Sequence, residues 1–289
     1  NLGVAGTFIH VERFTFHGGA QQYAGAGKRV YVVYDSETAA LRTIIVGSLP
    51  LFDFEPEEDW YGTETPITSA VGTDILARAD SHVLGLYGTG RQARRHLVTM
   101  CAIRPINEVR IYSRSAENRA AFVARMQNQV SARVIAVGTP EEVAKGADII
   151  CCATGSNLPV LKGAWLEPGQ HITSIVNSNK GVKEQAGLAK SRREVDDEVV
   201  RRADRILVNV RDQSIVDEHG DLWEPVEAGI IAWDDVIEMG DMLTGREEAR
   251  TSPDQITLFK QNSDQGVGYM ALAKLVCDIA EAKGLGTQI

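Results

Sequence analysis

Residues 82 to 95, His-Val-Leu-Gly-Leu-Tyr-Gly-Thr-Gly-Arg-Gln-Ala-Arg-Arg, carry the spacing that points most directly to chemistry. The mostly apolar run His82 to Tyr87 reads as a buried strand and leads without a gap into Gly88-x-Gly90-x-x-Ala93 and a helical pattern. Gly88 suits a tight bend, Gly90 lets the backbone approach a pyrophosphate, and a small residue at Ala93 lets the helix pack closely on the strand. Amides at the helix start would then face phosphate oxygens. Gly88, Thr89, Gly90, Arg91, Gln92 and Ala93 are therefore candidate dinucleotide-binding residues. Glycines also mark ordinary turns, so the flanking strand and helix give the pattern its weight.

A second strand, Glu108 to Tyr112, follows at the distance of one crossover helix and ends in Ser113-Arg114-Ser115. In units of this kind a carboxylate near that point accepts from the ribose 2′-hydroxyl of NAD, whereas an Arg accommodates the 2′-phosphate of NADP. Neither Asp nor Glu occupies 113 to 115, and Arg119 follows about a turn later, so Ser113, Arg114, Ser115 and Arg119 favour NADP, with NAD left open. The same Ser-Arg-Ser could simply cap the next helix. Thr154 closes another strand and is a further candidate for the cofactor cleft, because ligands of such sheets sit beyond the carboxyl ends of strands.

The elements that must position these residues can be read from periodicity. Strands are predicted at 82–87, 108–113, 132–137, 147–153 and 171–176, and helices at 91–103, 117–129 and 140–145. Alternation of this kind argues for an α/β fold, a Rossmann-type doubly wound parallel sheet with helices on both faces. A helix is predicted over 66–79, a short helix over 195–203, a strand over 205–210, and a closing helix over 268–283 after the apolar run 256–259. Upstream, 28–34 and 41–46 read as a hairpin joined through Asp35-Ser36-Glu37-Thr38, and 8–17 as one edge strand. His10, Glu12 and His17 lack a recognised metal-ligand spacing, so no metal is expected.

Bulk properties narrow the function classes. With 289 residues, 44% apolar and 24% charged, the chain can bury a sizeable core. Net charge is −9 and basic residues are scattered, which argues against a nucleic-acid partner. No apolar run reaches the roughly 18 to 20 residues needed to cross a bilayer, and no signal-peptide pattern opens the chain. Cys101, Cys151, Cys152 and Cys277 show no C-x-x-C spacing and read as small hydrophobes of a reducing, cytoplasmic environment.

The chain resembles the ornithine cyclodeaminase and mu-crystallin family. The resemblance rests on Tyr34-Asp35-Ser36-Glu37-Thr38, Thr68-Ser69-Ala70-Val71, Gly88-Thr89-Gly90-Arg91-Gln92-Ala93, Ala153-Thr154, Arg193-Glu194-Val195-Asp196 and Ile256-Thr257-Leu258-Phe259-Lys260. It implies a homodimer in which a Rossmann domain, 79–254, is joined to a second α+β domain built from both chain ends, 1–78 and 255–289. It also implies a site where a nicotinamide exchanges hydride with a small amino acid, imine or amine. Thr68 and Ser69 match a helix start that lies near the cofactor phosphates, and the family's N-terminal portion is missing or much shortened.

Three departures from the family pattern bear on the substrate. Ile67 stands where members acting on amino acids carry an Arg for the substrate carboxylate, and Glu64 is the nearest upstream charge. Lys is absent from Leu2-Gly3-Val4-Ala5, and Asn179 aligns approximately with a family Asp. Losing a guanidinium and gaining a carboxylate shifts the preferred ligand from anionic towards neutral or cationic. The expectation is an NADP-dependent oxidoreductase of the imine-reductase or amino-acid-dehydrogenase type, with Glu64 offsetting the charge of an iminium. Glu64 reads equally as a solvated loop residue; Asn179, Lys180 and Asp264 are further pocket candidates by position only, each otherwise a surface or turn residue. A cyclodeaminase-like lyase that recycles its cofactor and a non-catalytic NADP-binding protein are the alternatives.

Overall fold

A computed structural model describes residues 2–17, 20–47, 64–262 and 266–287. It divides into two compact units, Asn1–Thr15, Gln22–Glu64 and Asp264–Ile289 in the first, and Phe16–Gln21 and Thr65–Ser263 in the second.

The N-terminal strands are β1 (Val4–Ile9), β2 (Glu12–His17), β3 (Ala20–Ala26), β4 (Val30–Asp35) and β5 (Leu41–Val46). In the first unit β1, β4 and β5 form an antiparallel sheet in that order, while β2 and β3 pair separately. The single strand expected over 8–17 is thus two, broken at His10 and Val11. Its mixed pattern carried no mark of the break; the change of pairing partner makes it. The hairpin turn forms as its residue types require, since the Asp35 carboxylate accepts from the Thr38 amide at 2.7 Å and the Glu37 amide at 2.9 Å. One face of this sheet is covered by the closing helix Val267–Ala282. Val4, Tyr31, Val33, Leu272, Ala273 and Cys277 make the buried contact.

The second unit continues with α1 (Glu64–Leu76), β6 (Val83–Tyr87), α2 (Arg91–Ile103), β7 (Glu108–Tyr112), α3 (Ala116–Met126) and β8 (Arg133–Ala136). Next come α4 (Glu141–Ala144), β9 (Ile149–Cys152), β10 (His171–Ser174), α5 (Lys180–Gln185), α6 (Asp197–Arg202) and β11 (Arg205–Val208). The chain then forms α7 (Arg211–Val216), α8 (Gly220–Glu227), β12 (Val236–Glu238), α9 (Met239–Leu243) and β13 (Thr257–Lys260), before the closing helix, α10. Eight of these strands make one sheet in the order β12-β11-β13-β10-β9-β6-β7-β8. Every recorded pairing within it is parallel. Runs such as Ile149–Cys152 are buried at every position, as strands covered on both faces must be.

Two boundaries differ from the sequence expectation. The apolar run 256–259, assigned above to the second domain, is β13 and lies inside the parallel sheet, between β10 and β11. Helix α1, assigned to the same domain, covers it: a Cβ on Gly72 would meet the Phe259 ring at 2.4 Å, and Leu76 shares a buried cluster with Phe259 and Leu207. The units therefore separate at 64/65 and 263/264 rather than at 78/79 and 254/255. Interior contact places α1 and β13, and an apolar run of four residues cannot announce which sheet it joins.

Candidate functional site

The sheet runs from β6 to β7 and β8 in one direction and to β9 and β10 in the other, so the order reverses between β6 and β9. A crevice at such a switch point, beyond the carboxyl ends of the strands, is where doubly wound sheets take their ligands. Gly88 stands there with φ of 108°. Its amide donates to the Tyr112 carbonyl at 2.9 Å, and a Cβ would come within 2.2 Å of the Ala153 carbonyl oxygen. Both the left-handed backbone and the close approach require glycine. Gly90, the N-cap of α2, has open space where a Cβ would project. The first turn of α2 carries no acidic residue and no capping side chain. Ala93 is fully buried, while Thr89, Arg91 and Gln92 are half-buried around the turn. A pyrophosphate fits this arrangement: small residues leave room for it, and the uncapped end of a 13-residue helix supplies amides and a favourable dipole.

At the end of β7 the Ser115 hydroxyl accepts from the Asn118 amide at 3.1 Å and caps α3, as the bland reading of Ser-Arg-Ser supposed. The capping leaves the basic groups in place. Arg119 donates to the Ser113 carbonyl at 2.5 Å and lies 5.3 Å from the Tyr112 ring centroid, and Arg114 is exposed. Ser113 itself donates to the Ser115 carbonyl at 3.2 Å.

Thr68 and Ser69 lie within α1 rather than at its first residue, and both are buried. His96 on α2 reaches Ser69 Oγ through Nε2 at 2.9 Å and the Gln92 carbonyl through Nδ1 at 2.8 Å. A carbonyl only accepts, so Nδ1 carries the proton and Nε2 accepts from the hydroxyl, which requires a neutral ring. Burial agrees, holding His96 down at about 4. His171, buried among Thr73, Thr173 and Thr257, is lowered to about 3 by burial and then by the charges of Arg250 and Arg104. Unfolded histidine titrates near 6.5, so between about 6.5 and 4 the unfolded chain binds protons that the native state refuses. Stability is unaffected by these residues above pH 6.5 and is lost as pH falls; acidification from neutral pH to below about 4 costs on the order of 3 kcal/mol at His96 alone. Urea unfolding at pH 7.5, 6 and 5 should show that decline, with a shallower slope for His96→Gln.

Thr154 follows β9 beside Gly88, and its amide and hydroxyl both donate to Glu194 Oε1, at 2.6 and 2.7 Å. Glu194 Oε2 accepts from the Ser174 hydroxyl at 3.1 Å and from the amides of Ile175 and Val176 at 2.9 and 2.8 Å. Asp221 Oδ1 accepts from the amides of Glu194 and Val195, and its Oδ2 from the Ser174 hydroxyl at 2.6 Å. Lys260, at the end of β13, lies 3.1 Å from Asp221 Oδ2 and donates to the Val176 carbonyl at 2.9 Å. Glu194, Asp221 and Lys260 are all fully buried. Burial pushes the Glu194 carboxyl above its ordinary value, despite the pull of Lys260. Burial also opposes ionisation of Asp221, but the Lys260 ammonium, Ser174 and two backbone amides outweigh it and hold that carboxyl low.

Glu194 and Lys260 stand out in the sequence only as parts of family-like motifs, and Asp221 and Ser174 fall in no such motif. The available signal was a polar residue closing an otherwise interior strand, Ser174 on β10 and Lys260 on β13.

Of the three catalytic candidates, one lies in the first unit, one in the second and one outside the described residues. Glu64 is nearly buried in the first unit and accepts from the Tyr269 hydroxyl at 3.0 Å. Phe8 stacks on Tyr269 and on Tyr31, whose hydroxyl is raised by burial and by the charge of Glu64. Asn179, in the second unit, is the N-cap of α5, accepting from the Val182 amide at 2.8 Å and donating to Asn177 at 3.1 Å. Asp264 lies outside the described residues. Ile67 is partly exposed on α1. Among the described residues no group of His, Cys, Asp and Glu is placed to hold a metal, and no helix is long and apolar enough to cross a membrane. All four cysteines are free, and burial raises the Cys101 thiol to about 11.

The model of the ornithine cyclodeaminase/mu-crystallin family matches residues 62–284. The Δ1-pyrroline-2-carboxylate reductase of Bacillus cereus is 25% identical over 279 residues, 93% of this chain and 82% of that protein. Among solved structures, the Δ1-pyrroline-2-carboxylate reductase of Thermococcus litoralis with NADH and L-proline superposes with a TM-score of 0.76 at 22% identity, covering 99% of this chain and 90% of that one. An archaeal alanine dehydrogenase dimer with bound NAD gives a TM-score of 0.74 at 22% identity, covering 99% and 88%. At these identities the superpositions establish the Rossmann-type fold.

Proposed function

Because the chain belongs to the ornithine cyclodeaminase/mu-crystallin family, we propose that it is an NAD(P)-dependent oxidoreductase acting on a C=N or CH–NH group. The observation that carries this reading is the Gly88 to Ala93 turn at the switch point of the parallel sheet, with an open face at Gly90 and an uncapped helix behind it. The relatives named as Δ1-pyrroline-2-carboxylate reductase support a C=N substrate. When bound, the nicotinamide supplies the hydride, and the protein's part is to hold the two reactants in line and to steady charge.

Within that reading, Gly88, Thr89, Gly90, Arg91, Gln92 and Ala93 hold the pyrophosphate, with Thr68 and Ser69 near the phosphates and Thr154 on the opposite side of the cleft. Ser113, Arg114, Ser115 and Arg119 form the ribose end, and the absence of a carboxylate there favours NADP over NAD. Glu64 faces the positive charge of an iminium, and Ile67 in place of an Arg selects against a substrate carboxylate. Asn179 and Asp264 are further candidates for contact with the substrate. Glu64→Gln should fold normally and lose about 100-fold in kcat, the scale of removing one preorganised charge-stabilising group. Wild-type activity in that variant removes Glu64 from the mechanism.

The second unit is read as the dinucleotide domain and the first as the substrate and dimerisation domain of a homodimer. The sheet face turned away from α10 supports this, because the cross-strand rows Ile9-Val30-Val46, Thr7-Val32-Ile44 and Ala5-Tyr34-Leu41 are apolar apart from one threonine. Ile9 is 55% exposed and Val46 59%, and a contiguous apolar face of this kind marks an association surface. Light scattering should give a dimer for the wild type and a monomer for Ile44→Asp; a wild-type monomer overturns the assignment. Four free cysteines, three of them buried, accord with a reducing, cytoplasmic environment.

Tryptophan fluorescence titrations with NADPH and NADH in parallel, followed by cyclic and linear imines, test the function. Tighter binding of NADPH and loss of its absorbance on one imine are expected. Binding of neither cofactor overturns the reading.

A further inference from the structure

We propose that Glu194, supported by Asp221 and Lys260, is the positioning residue of the nicotinamide end of the cleft. The inference rests on the cofactor reading above. With the pyrophosphate at Gly88 to Ala93 and the adenosine ribose towards the end of β7, the other half of a dinucleotide runs towards the ends of β9 and β10 on the far side of the switch point. Those two ends are the segments that Glu194 ties together. One oxygen takes both donors of Thr154 after β9; the other takes the Ser174 hydroxyl and the amides of Ile175 and Val176 after β10.

Each oxygen of Glu194 receives at least one backbone amide, and a backbone amide cannot turn round to accept. A carboxylate, which only accepts, satisfies the three backbone amides and the Thr154 hydroxyl and shares the single Ser174 proton with Asp221, while a carboxamide must set its own N–H against one of the amides. Asp221 fixes Glu194 from behind through the amides of Glu194 and Val195, and Lys260 offsets the two carboxylates while holding the Val176 carbonyl. The contacts to Glu194 come from Thr154 after β9 and from Ser174, Ile175 and Val176 at and after the end of β10. Replacing it should therefore disturb the reacting end of the cofactor and spare the anchored end.

The test is Glu194→Gln, with Glu194→Asp as the conservative partner that keeps the charge but retracts it by one methylene. Hydrogen exchange of the cofactor-free protein should show faster exchange in the segments 150–157 and 172–178 for Glu194→Gln and little change in 84–95. For a misplacement confined to the reacting end, kcat should fall on the order of 100-fold while the Kd for NADPH moves by less than about 3-fold. The emission of bound NADPH should shift towards that of the free cofactor, and Glu194→Asp should recover part of both readouts. Equal losses in kcat and cofactor affinity, or unchanged exchange in both segments, overturn the inference. If Glu194→Gln does not fold, Ser174→Ala, which removes a single donor, must show the same split on a smaller scale. A wild-type protein that binds NADPH and reduces an imine while Glu194→Gln does so equally well overturns this inference alone. A wild-type protein that binds neither cofactor overturns the function and this inference together.

Discussion

Gly90→Val should leave the protein folded and abolish measurable cofactor binding, raising the Kd for NADPH by about 100-fold or more. The position has open space where a Cβ would project, so the native fold accommodates the side chain. That same space is where a pyrophosphate must approach the amides at the start of α2, and a branched side chain fills it. Circular dichroism should match the wild type while the fluorescence titration with NADPH goes flat. Gly88→Val is the contrasting case, because there φ is 108° and the Ala153 carbonyl is 2.2 Å from an added Cβ, so folding itself should suffer. Tight NADPH binding by Gly90→Val would remove the turn from the cofactor site.

Lys260→Met should be among the most destabilising single changes available in the second unit. Lys260 is fully buried and pairs with Asp221 at 3.1 Å, so its loss leaves two interior carboxylates without their ammonium. Removing one partner of a buried pair costs about 3–5 kcal/mol, mainly because the remaining charge is stranded. For a unit of this size that corresponds to a fall in Tm on the order of 10 °C. Adding Asp221→Asn should restore part of the loss, since Asn keeps an acceptor for the amides of Glu194 and Val195 while removing the stranded charge. Thermal denaturation of the two single variants and the double variant gives the coupling directly. Additive effects in that cycle would show that the pair is not coupled.

The parts of the molecule legible in the sequence are those that short stretches determine. Strands at Val83–Tyr87 and Glu108–Tyr112, the glycine turn, helix α2 over its full expected span of 91–103, and the closing helix all follow from local periodicity and turn chemistry. So does the hairpin at Asp35, whose carboxylate builds its own turn. The proposal that residues 88 to 93 hold the cofactor draws on the same local pattern, because a strand, a glycine turn and a helix start follow one another within 14 residues.

Only the tertiary structure decided where β13 goes, because its apolar run would fill any buried strand position and its neighbours β10 and β11 are more than 45 residues away in the chain. The break between β1 and β2 is of the same kind, since pairing partners rather than residue pattern end the strand. The Glu194, Asp221 and Lys260 cluster is the sharpest instance. Each residue taken alone reads as a surface charge, and each becomes an interior group because the ends of three strands and the first turn of α8 converge on it. A sequence specifies local geometry through backbone sterics and side-chain period; the partner that makes a buried charge tolerable is chosen by the fold, which brings distant segments within hydrogen-bonding reach.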